Sequence, residues 1–180
     1  MLYKKTIFYY FVNNYNEIKN INIKIFKNIS IILQYHETKA LDQIEILRIR
    51  KFCRSKGCDF FITNNLKKAN KYKANGVFIT SINRNMPSFI TKNNFKVIGS
   101  AHNQIEYYFK KKQGCKTIML SPLFSNEKYT DNKVLGISRF NLISLRWREN
   151  LIALGGVMKN LNKIKMTRCA GVGFKRFNYK

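Results

Sequence analysis

The chain has 180 residues, of which 45% are hydrophobic, and this length is enough for one sizeable core. We therefore expect a single domain over residues 1–180. The net charge is +25, from 34 Lys plus Arg against 9 Asp plus Glu, a balance that suits a nucleic-acid binder. The lysines are scattered through the whole chain, however, and no zinc module, base-reading basic region or aromatic RNA-binding signature is present. We expect no specific nucleic-acid partner and only non-specific affinity for polyanions.

The cysteines and the apolar runs indicate the cellular compartment of the protein. The four cysteines form no C-x-x-C pair, which predicts small buried thiols in a reducing environment. The apolar run at residues 7–12 is too short for a signal peptide, and no stretch reaches transmembrane length. The sequence thus predicts a soluble, cytoplasmic protein that does not bind membranes, and it gives no oligomeric state.

Short apolar runs alternate with helical patterns along the chain. Strands are predicted at residues 6–12, 29–34, 59–62, 76–80, 95–99, 116–120, 151–154 and 170–174. Helices are predicted at 15–21, 41–57, 66–73, 103–113, 138–148 and 158–166. The helix at 41–57 carries Leu41, Ile44 and Leu47 on one face.

Eight strands that alternate with helices are typical of the α/β class and of a compact (β/α)8 TIM barrel, here without a full C-terminal helix. An open doubly wound sheet shows the same alternation, but the presence of eight strand–helix units favours a closed barrel. In a barrel, the chemistry lies just after the strands.

Gly155 and Gly156 stand between the seventh predicted strand and its helix. Glycines allow a ligand close to the backbone, and the free N–H groups of a first helical turn favour a phosphate. The alternative interpretation is a tight turn with nothing bound.

Six short motifs follow one another with barrel-like spacing. They are A-N-G-V from Ala74, I-G-S-A-H from Ile98, S-P-L-F from Ser121, Leu135-Gly136 after a loop with lysines, A-L-G-G-V from Ala153 and A-G-V-G from Ala170. Over residues 29–174 the chain resembles the thiamine-phosphate synthase family, which also contains the TenI thiazole tautomerases.

The resemblance implies a barrel of the thiamine pathway that binds phosphorylated pyrimidine and thiazole molecules. The synthase joins a hydroxymethylpyrimidine pyrophosphate to a thiazole phosphate, with magnesium as its cofactor, whereas the tautomerase moves protons on the thiazole phosphate.

The same resemblance assigns roles to several residues. It gives phosphate binding to the glycine turn after the seventh strand, to the segment after the eighth strand and to the first residue of an S-x-H motif, which are Gly155, Gly156, Gly171, Gly173 and Ser100. It places Gln34 in the pyrimidine pocket. It makes His102 and Lys128 catalytic, with Lys133 as the alternative lysine.

The sequence departs from the synthase pattern where that pattern binds pyrophosphate and magnesium. A Q-x-R-x-K motif is replaced by Gln34, His36 and Thr38, and the two metal aspartates fall on Asn64 and Asn83. Magnesium bound to phosphates usually has a carboxylate ligand. We expect Glu37, Glu127 and Asp131 to be the only acids in loops at the right end of the barrel.

Three functions follow from these residues. The first is a divergent synthase-type transferase. The second is a metal-free tautomerase, in which His102 at the barrel mouth transfers protons near neutral pH. The third is an inactive barrel that binds phosphorylated ligands. The alternative interpretation of His102 is a helix-terminal residue bonded to nearby backbone.

Overall fold

The computed structural model describes residues 6–19, 28–34, 43–85, 95–125, 129–130, 133–148 and 150–175. Its eight strands are parallel and are β1 (Ile7–Val12), β2 (Ile29–Leu33), β3 (Asp59–Thr63), β4 (Gly76–Ile79), β5 (Lys96–Ala101), β6 (Thr117–Leu120), β7 (Ile152–Leu154) and β8 (Gly171–Phe174). Strand β1 pairs with β2 and also with β8, so the sheet closes on itself. The predicted (β/α)8 barrel is confirmed, and the open sheet is excluded.

Five α-helices connect the strands within the described residues. They are α1 (Gln43–Ser55), α2 (Leu66–Lys71), α3 (Gln104–Lys112), α4 (Gly136–Trp147) and α5 (Leu161–Ile164). The helix predicted over residues 158–166 is wrong in its extent, because the structure has a 3-10 turn at Met158–Asn160 followed by one α-helical turn. In the part of the chain that the structure covers, none of the helices is both long and apolar enough to cross a membrane. Residues 176–180, where the sequence predicts no further helix, lie outside the described residues.

The buried face of α1 differs from the predicted one. Ile44 and Leu47 are 55% and 47% exposed, and Leu41 lies outside the described residues. The buried residues are Ile46, Ile49 and Cys53, which pack on the outer side of the sheet. Both sets have helical spacing, so the sequence pattern alone does not choose between them.

The inside of the barrel changes from apolar to polar toward the carboxyl ends of the strands. Large apolar side chains, among them Phe11, Ile98 and Met119, fill the interior. Side chains alternate between the two faces of a strand, so the residue two positions after an interior residue also points inward. On the five neighbouring strands β2 to β6 that next inward residue is polar. We call these residues the mouth layer: Gln34, Thr63, Thr80, Ser100 and Ser121.

Candidate functional site

The turn after β7 leaves two backbone N–H groups open. The carbonyl oxygen of Leu154 accepts from the N–H of Leu123 at 2.8 Å, and that of Gly155 accepts from the N–H of Phe124 at 3.1 Å. In a trans peptide the N–H points opposite to the C=O, so the N–H groups of Gly155 and Gly156 point away from the loop after β6. No acceptor for either group occurs among the described residues. The turn therefore offers two adjacent donors at the barrel mouth.

The backbone of this turn requires glycine. Gly155 and Gly156 have φ values of +90° and +67°, in the left-handed region. A Cβ on Gly156 would lie 2.5 Å from the carbonyl oxygen of Ser125, and one on Gly155 would lie 3.0 Å from the Cα of Pro122. The tight packed turn of the alternative interpretation is thus present, and the same geometry leaves the two amides open.

Gly171 and Gly173 lie within β8, inside the strand predicted at 170–174, and not in a segment after it, where the resemblance places phosphate binding. A Cβ on Gly171 would lie 2.3 Å from the carbonyl oxygen of Ile7, and one on Gly173 would lie 3.0 Å from the Cδ1 of Leu154. Close packing of strands and interior side chains accounts for both glycines, and their role in phosphate binding stays a prediction.

Lys175 is the residue that follows β8 at the mouth, and it is exposed. Because β8 pairs with β7, Lys175 and Gly155 follow neighbouring strands at the same end of the barrel. The sequence does not single out this lysine, since one Lys among 34 cationic residues carries no signal.

The imidazole of His102 is held in one tautomer. Its Nδ1 lies 2.9 Å from the backbone carbonyl oxygen of Ser121. The Oγ of the same serine lies 3.1 Å from this nitrogen. A carbonyl only accepts, whereas a hydroxyl can accept as well as donate, so both contacts are satisfied when Nδ1 carries the proton, and Nε2 is then the basic nitrogen of the neutral ring. The backbone N–H of His102 donates to Oε2 of Glu106 at 2.7 Å, which ties the residue to the first turn of α3. The predicted bond to nearby backbone is present, and the ring still has a basic nitrogen at the mouth.

Ser100 and Gln34 point toward the same space from β5 and from the end of β2. Ser100 lies within β5, not after it as predicted, and is 7% exposed. Neither side chain has a hydrogen-bond partner among the described residues.

The two candidate lysines of the loop after β6 differ in what the structure shows. Lys128 lies outside the described residues, whereas Lys133, the alternative, is exposed in the segment before α4.

The amide oxygens at the two substituted metal positions already accept backbone hydrogen bonds. The Oδ1 of Asn64 accepts from the N–H of Thr80 at 2.9 Å, while its Nδ2 donates to Oγ1 of the same threonine. Asn64 thereby joins the ends of β3 and β4. The Oδ1 of Asn83 accepts from the N–H of Asn85 at 2.9 Å.

More acids lie at this end of the barrel than the sequence analysis expected. Glu17, Glu45 and Glu106 lie in the first turns of the helical segments after β1, β2 and β5. Each carboxylate accepts a backbone N–H, from Asn13, Tyr15 and His102 respectively. The three acids that were expected there, Glu37, Glu127 and Asp131, lie outside the described residues.

The described residues do not fit a magnesium site. They contain no group of three His, Cys, Asp or Glu side chains that could hold a metal ion. The nearest carboxylates serve as helix caps, and the two asparagines at the carried-over positions bond to backbone.

A buried lysine supports the loop after β4, and the sequence analysis missed it. Lys110 is 0% exposed, and its Nζ donates to the carbonyl oxygen of Asn83 at 2.6 Å and to Oε1 of Gln113 at 2.8 Å. Burial lowers the pKa of the Lys110 ammonium. The Nε2 of Gln113 donates to the carbonyl oxygen of Asn85 at 2.8 Å, so both side chains hold this loop.

A family model described as thiamine monophosphate synthase matches residues 25–175. The chain belongs to the thiamine monophosphate synthase family. A curated thiamine-phosphate synthase from Prochlorococcus marinus is 30% identical over 137 residues, which cover 73% of this chain and 38% of that protein. The chain thus spans well under half the length of this relative. The resemblance seen in the six motifs is confirmed at the level of the family.

Two solved structures share the barrel fold. The thiamine phosphate pyrophosphorylase of Pyrococcus furiosus matches with a TM-score of 0.68 and 16% identity, over 94% of this chain and 85% of that one. The thiamine phosphate pyrophosphorylase of Bacteroides thetaiotaomicron matches with a TM-score of 0.58 and 17% identity, over 94% and 82% of the two chains. At these identities the likeness shows the fold alone.

Proposed function

We propose that this chain is a thiamine-phosphate synthase-like protein of thiamine biosynthesis, which binds a thiazole phosphate at the barrel mouth and joins it to a hydroxymethylpyrimidine pyrophosphate. The open N–H groups of Gly155 and Gly156 carry this proposal, because two adjacent amides without an acceptor among the described residues suit a phosphate. Lys175, after the neighbouring strand, adds positive charge. Membership of the family supports the choice of ligand.

The pyrimidine would lie across the mouth layer from the glycine turn. Gln34 and Ser100 point there with polar groups that no described residue engages. A glutamine amide both donates and accepts, which suits the ring nitrogens and the amino group of a pyrimidine. Lys128, or Lys133 as its alternative, would meet the charge of the leaving pyrophosphate. No step is assigned to a metal ion, because the described residues do not fit one.

A turnover assay tests the synthase proposal. Given both phosphorylated precursors, the purified chain should form thiamine phosphate, and Lys175→Gln should raise KM for the thiazole phosphate. Lys116→Gln is the matched control, since Lys116 is exposed before β6 at the opposite end of the barrel. Absence of product over a survey of pH and divalent metals would reject the synthase reaction.

The geometry of His102 favours a second candidate, the thiazole-phosphate tautomerase. Its basic Nε2 would remove a proton from the ring of a bound thiazole phosphate and return it at another atom. His102→Gln should then abolish tautomerisation and leave ligand binding intact. If phosphorylated ligands raise the melting temperature but neither the synthase nor the tautomerase reaction is detected, the chain is an inactive phosphate-binding barrel. A cytoplasmic location belongs to the same proposal.

A further inference from the structure

A cavity of about 300 Å³ lies at the amino-terminal end of the barrel, where α1 ends and β3 begins. This is the end opposite to the mouth. Three cationic side chains line the cavity: Arg50, Arg54 and Lys73. One carboxylate, that of Asp59, also lines it and forms an ion pair with Lys96. The described lining therefore has an excess of positive charge.

Arg50 is the most informative residue of this cavity. Its Nε is buried and has no hydrogen-bond partner within the described part of the chain. A buried donor without an acceptor is unfavourable, and for a guanidinium the loss is larger than for a neutral group. The rest of the guanidinium lines the cavity and also has no partner among the described residues, so a ligand there would bond to its NH2 groups.

Asn75 offers another donor in the same lining. Its Oδ1 accepts from the backbone N–H of Phe60 at 2.9 Å. A backbone N–H only donates, so the orientation of this amide is fixed and its NH2 group is the part that remains to bind a ligand. The cavity thus combines two guanidinium groups, an ammonium and an amide donor.

We propose that this cavity binds a phosphate group, either as inorganic phosphate or as the monoester of a small molecule. Guanidinium groups bind phosphate oxygens through paired, charge-assisted hydrogen bonds, and Arg50 and Arg54 bring two such groups to the same lining. The site is separate from the glycine turn, so it stands whether or not the proposed function at the mouth is correct.

A thiol in the cavity wall provides a local readout. Cys58 lines the cavity and is partly exposed, whereas Cys169 is partly exposed outside it. The rate of alkylation of each thiol by iodoacetamide is measured by mass spectrometry, at constant ionic strength, with inorganic phosphate or ribose 5-phosphate. Phosphate should slow the alkylation of Cys58 severalfold and leave Cys169 unchanged. Binding at the mouth would not protect Cys58.

Variants of α1 assign the protection to the cavity. Arg50→Gln should raise the phosphate concentration for half-protection about tenfold. Arg48→Gln removes the same charge from an exposed position of the same helix outside the lining, and it should change nothing. Should Arg50→Gln fail to fold, Arg54→Gln serves instead, because Arg54 is exposed.

Stronger protection by ribose 5-phosphate would identify a monoester as the ligand, and stronger protection by inorganic phosphate would identify the free ion. Absence of protection by both would overturn the proposal. Equal weakening by Arg48→Gln and by the cavity variants would overturn it as well, since the effect would then report the net charge of the helix.

Discussion

The Nδ1 of His102 donates to the backbone carbonyl oxygen of Ser121, 2.9 Å away, so the neighbouring strands β5 and β6 together fix the tautomer of a histidine at the mouth. The ring therefore has a defined donor on one side and a defined base, Nε2, on the other. If His102 transfers a proton, it is this second nitrogen that does so.

The variant His102→Asn distinguishes the roles of the two ring nitrogens, Nδ1 and Nε2. The Asn amide NH2 occupies nearly the place of Nδ1 and keeps the bond to Ser121, but nothing replaces Nε2. We expect turnover to fall about 100-fold or more with little change in the affinity for the phosphorylated ligand. Steady-state kinetics and calorimetry check this, with His36→Asn, the other histidine of the chain, as the control. Equal losses in both variants would remove His102 from the mechanism.

Gly156 and Gly136 have the same φ of +67° but different surroundings. A Cβ on Gly136 would meet nothing within 4 Å, whereas one on Gly156 would meet two carbonyl oxygens within 2.6 Å. Gly136→Ala should cost about 1 kcal/mol of the free energy of unfolding, from the left-handed backbone alone. Gly156→Ala should cost about 2 kcal/mol more, because the loop after β6 must shift. Urea titrations measure both, and equal costs would mean that this loop does not pack on the glycine turn.

The two asparagines at the substituted metal positions should differ in their contribution to stability. Asn64→Ala leaves the N–H of Thr80 without its acceptor and places Ala at a φ of +54°, so we expect a loss of about 2 kcal/mol. Asn83→Ala removes one bond within an exposed turn, while Lys110 still holds the backbone carbonyl, so we expect a loss of about 0.5 kcal/mol. Chemical denaturation of the two variants measures the loss of unfolding free energy in each. A larger loss at Asn83 would contradict the bonds described for both residues.

Tyr9 should make the barrel sensitive to alkali. Burial raises its pKa from 10.0 to about 12, with a smaller contribution from Asp59. In the unfolded chain the phenol loses its proton near pH 10, so above that pH the unfolded state binds fewer protons than the folded state. This contribution to stability is complete below pH 10 and is lost as the pH rises toward 12.

The comparison with Tyr9→Phe isolates that contribution. Between pH 10 and 12 the wild type should lose roughly 2–3 kcal/mol of unfolding free energy relative to Tyr9→Phe. Tyr108→Phe is the control, because Tyr108 is 52% exposed. The same pH dependence in all three proteins would show that the phenol of Tyr9 is not buried as described.

The strands were predictable because residues such as Ile31, Ile32 and Leu33 are buried on both faces of the sheet, which makes a strand apolar without interruption. The glycine turn was predictable for a similar reason, since few residues other than glycine adopt its backbone. In both cases a local rule and the tertiary structure require the same residue type.

The predictions failed where distant parts of the chain decide the outcome. Lys110 belongs to a run of three lysines that suggests a solvated helix end, but its ammonium is buried against the carbonyl of Asn83, 27 residues away, and the side chain of Gln113. Likewise, the buried face of α1 depends on how the helix lies on the sheet. The capping role of Glu45 depends on Tyr15, and the sequence gives no sign of that contact.

The most direct test of the account is a titration of ¹⁵N-labelled protein with thiazole phosphate, followed through the backbone amide signals. We expect the amide signals of Gly155 and Gly156 to show the largest shifts and to saturate together, while that of Gly114, at the other end of the barrel, stays in place. Unchanged signals from Gly155 and Gly156 at ligand saturation would contradict it.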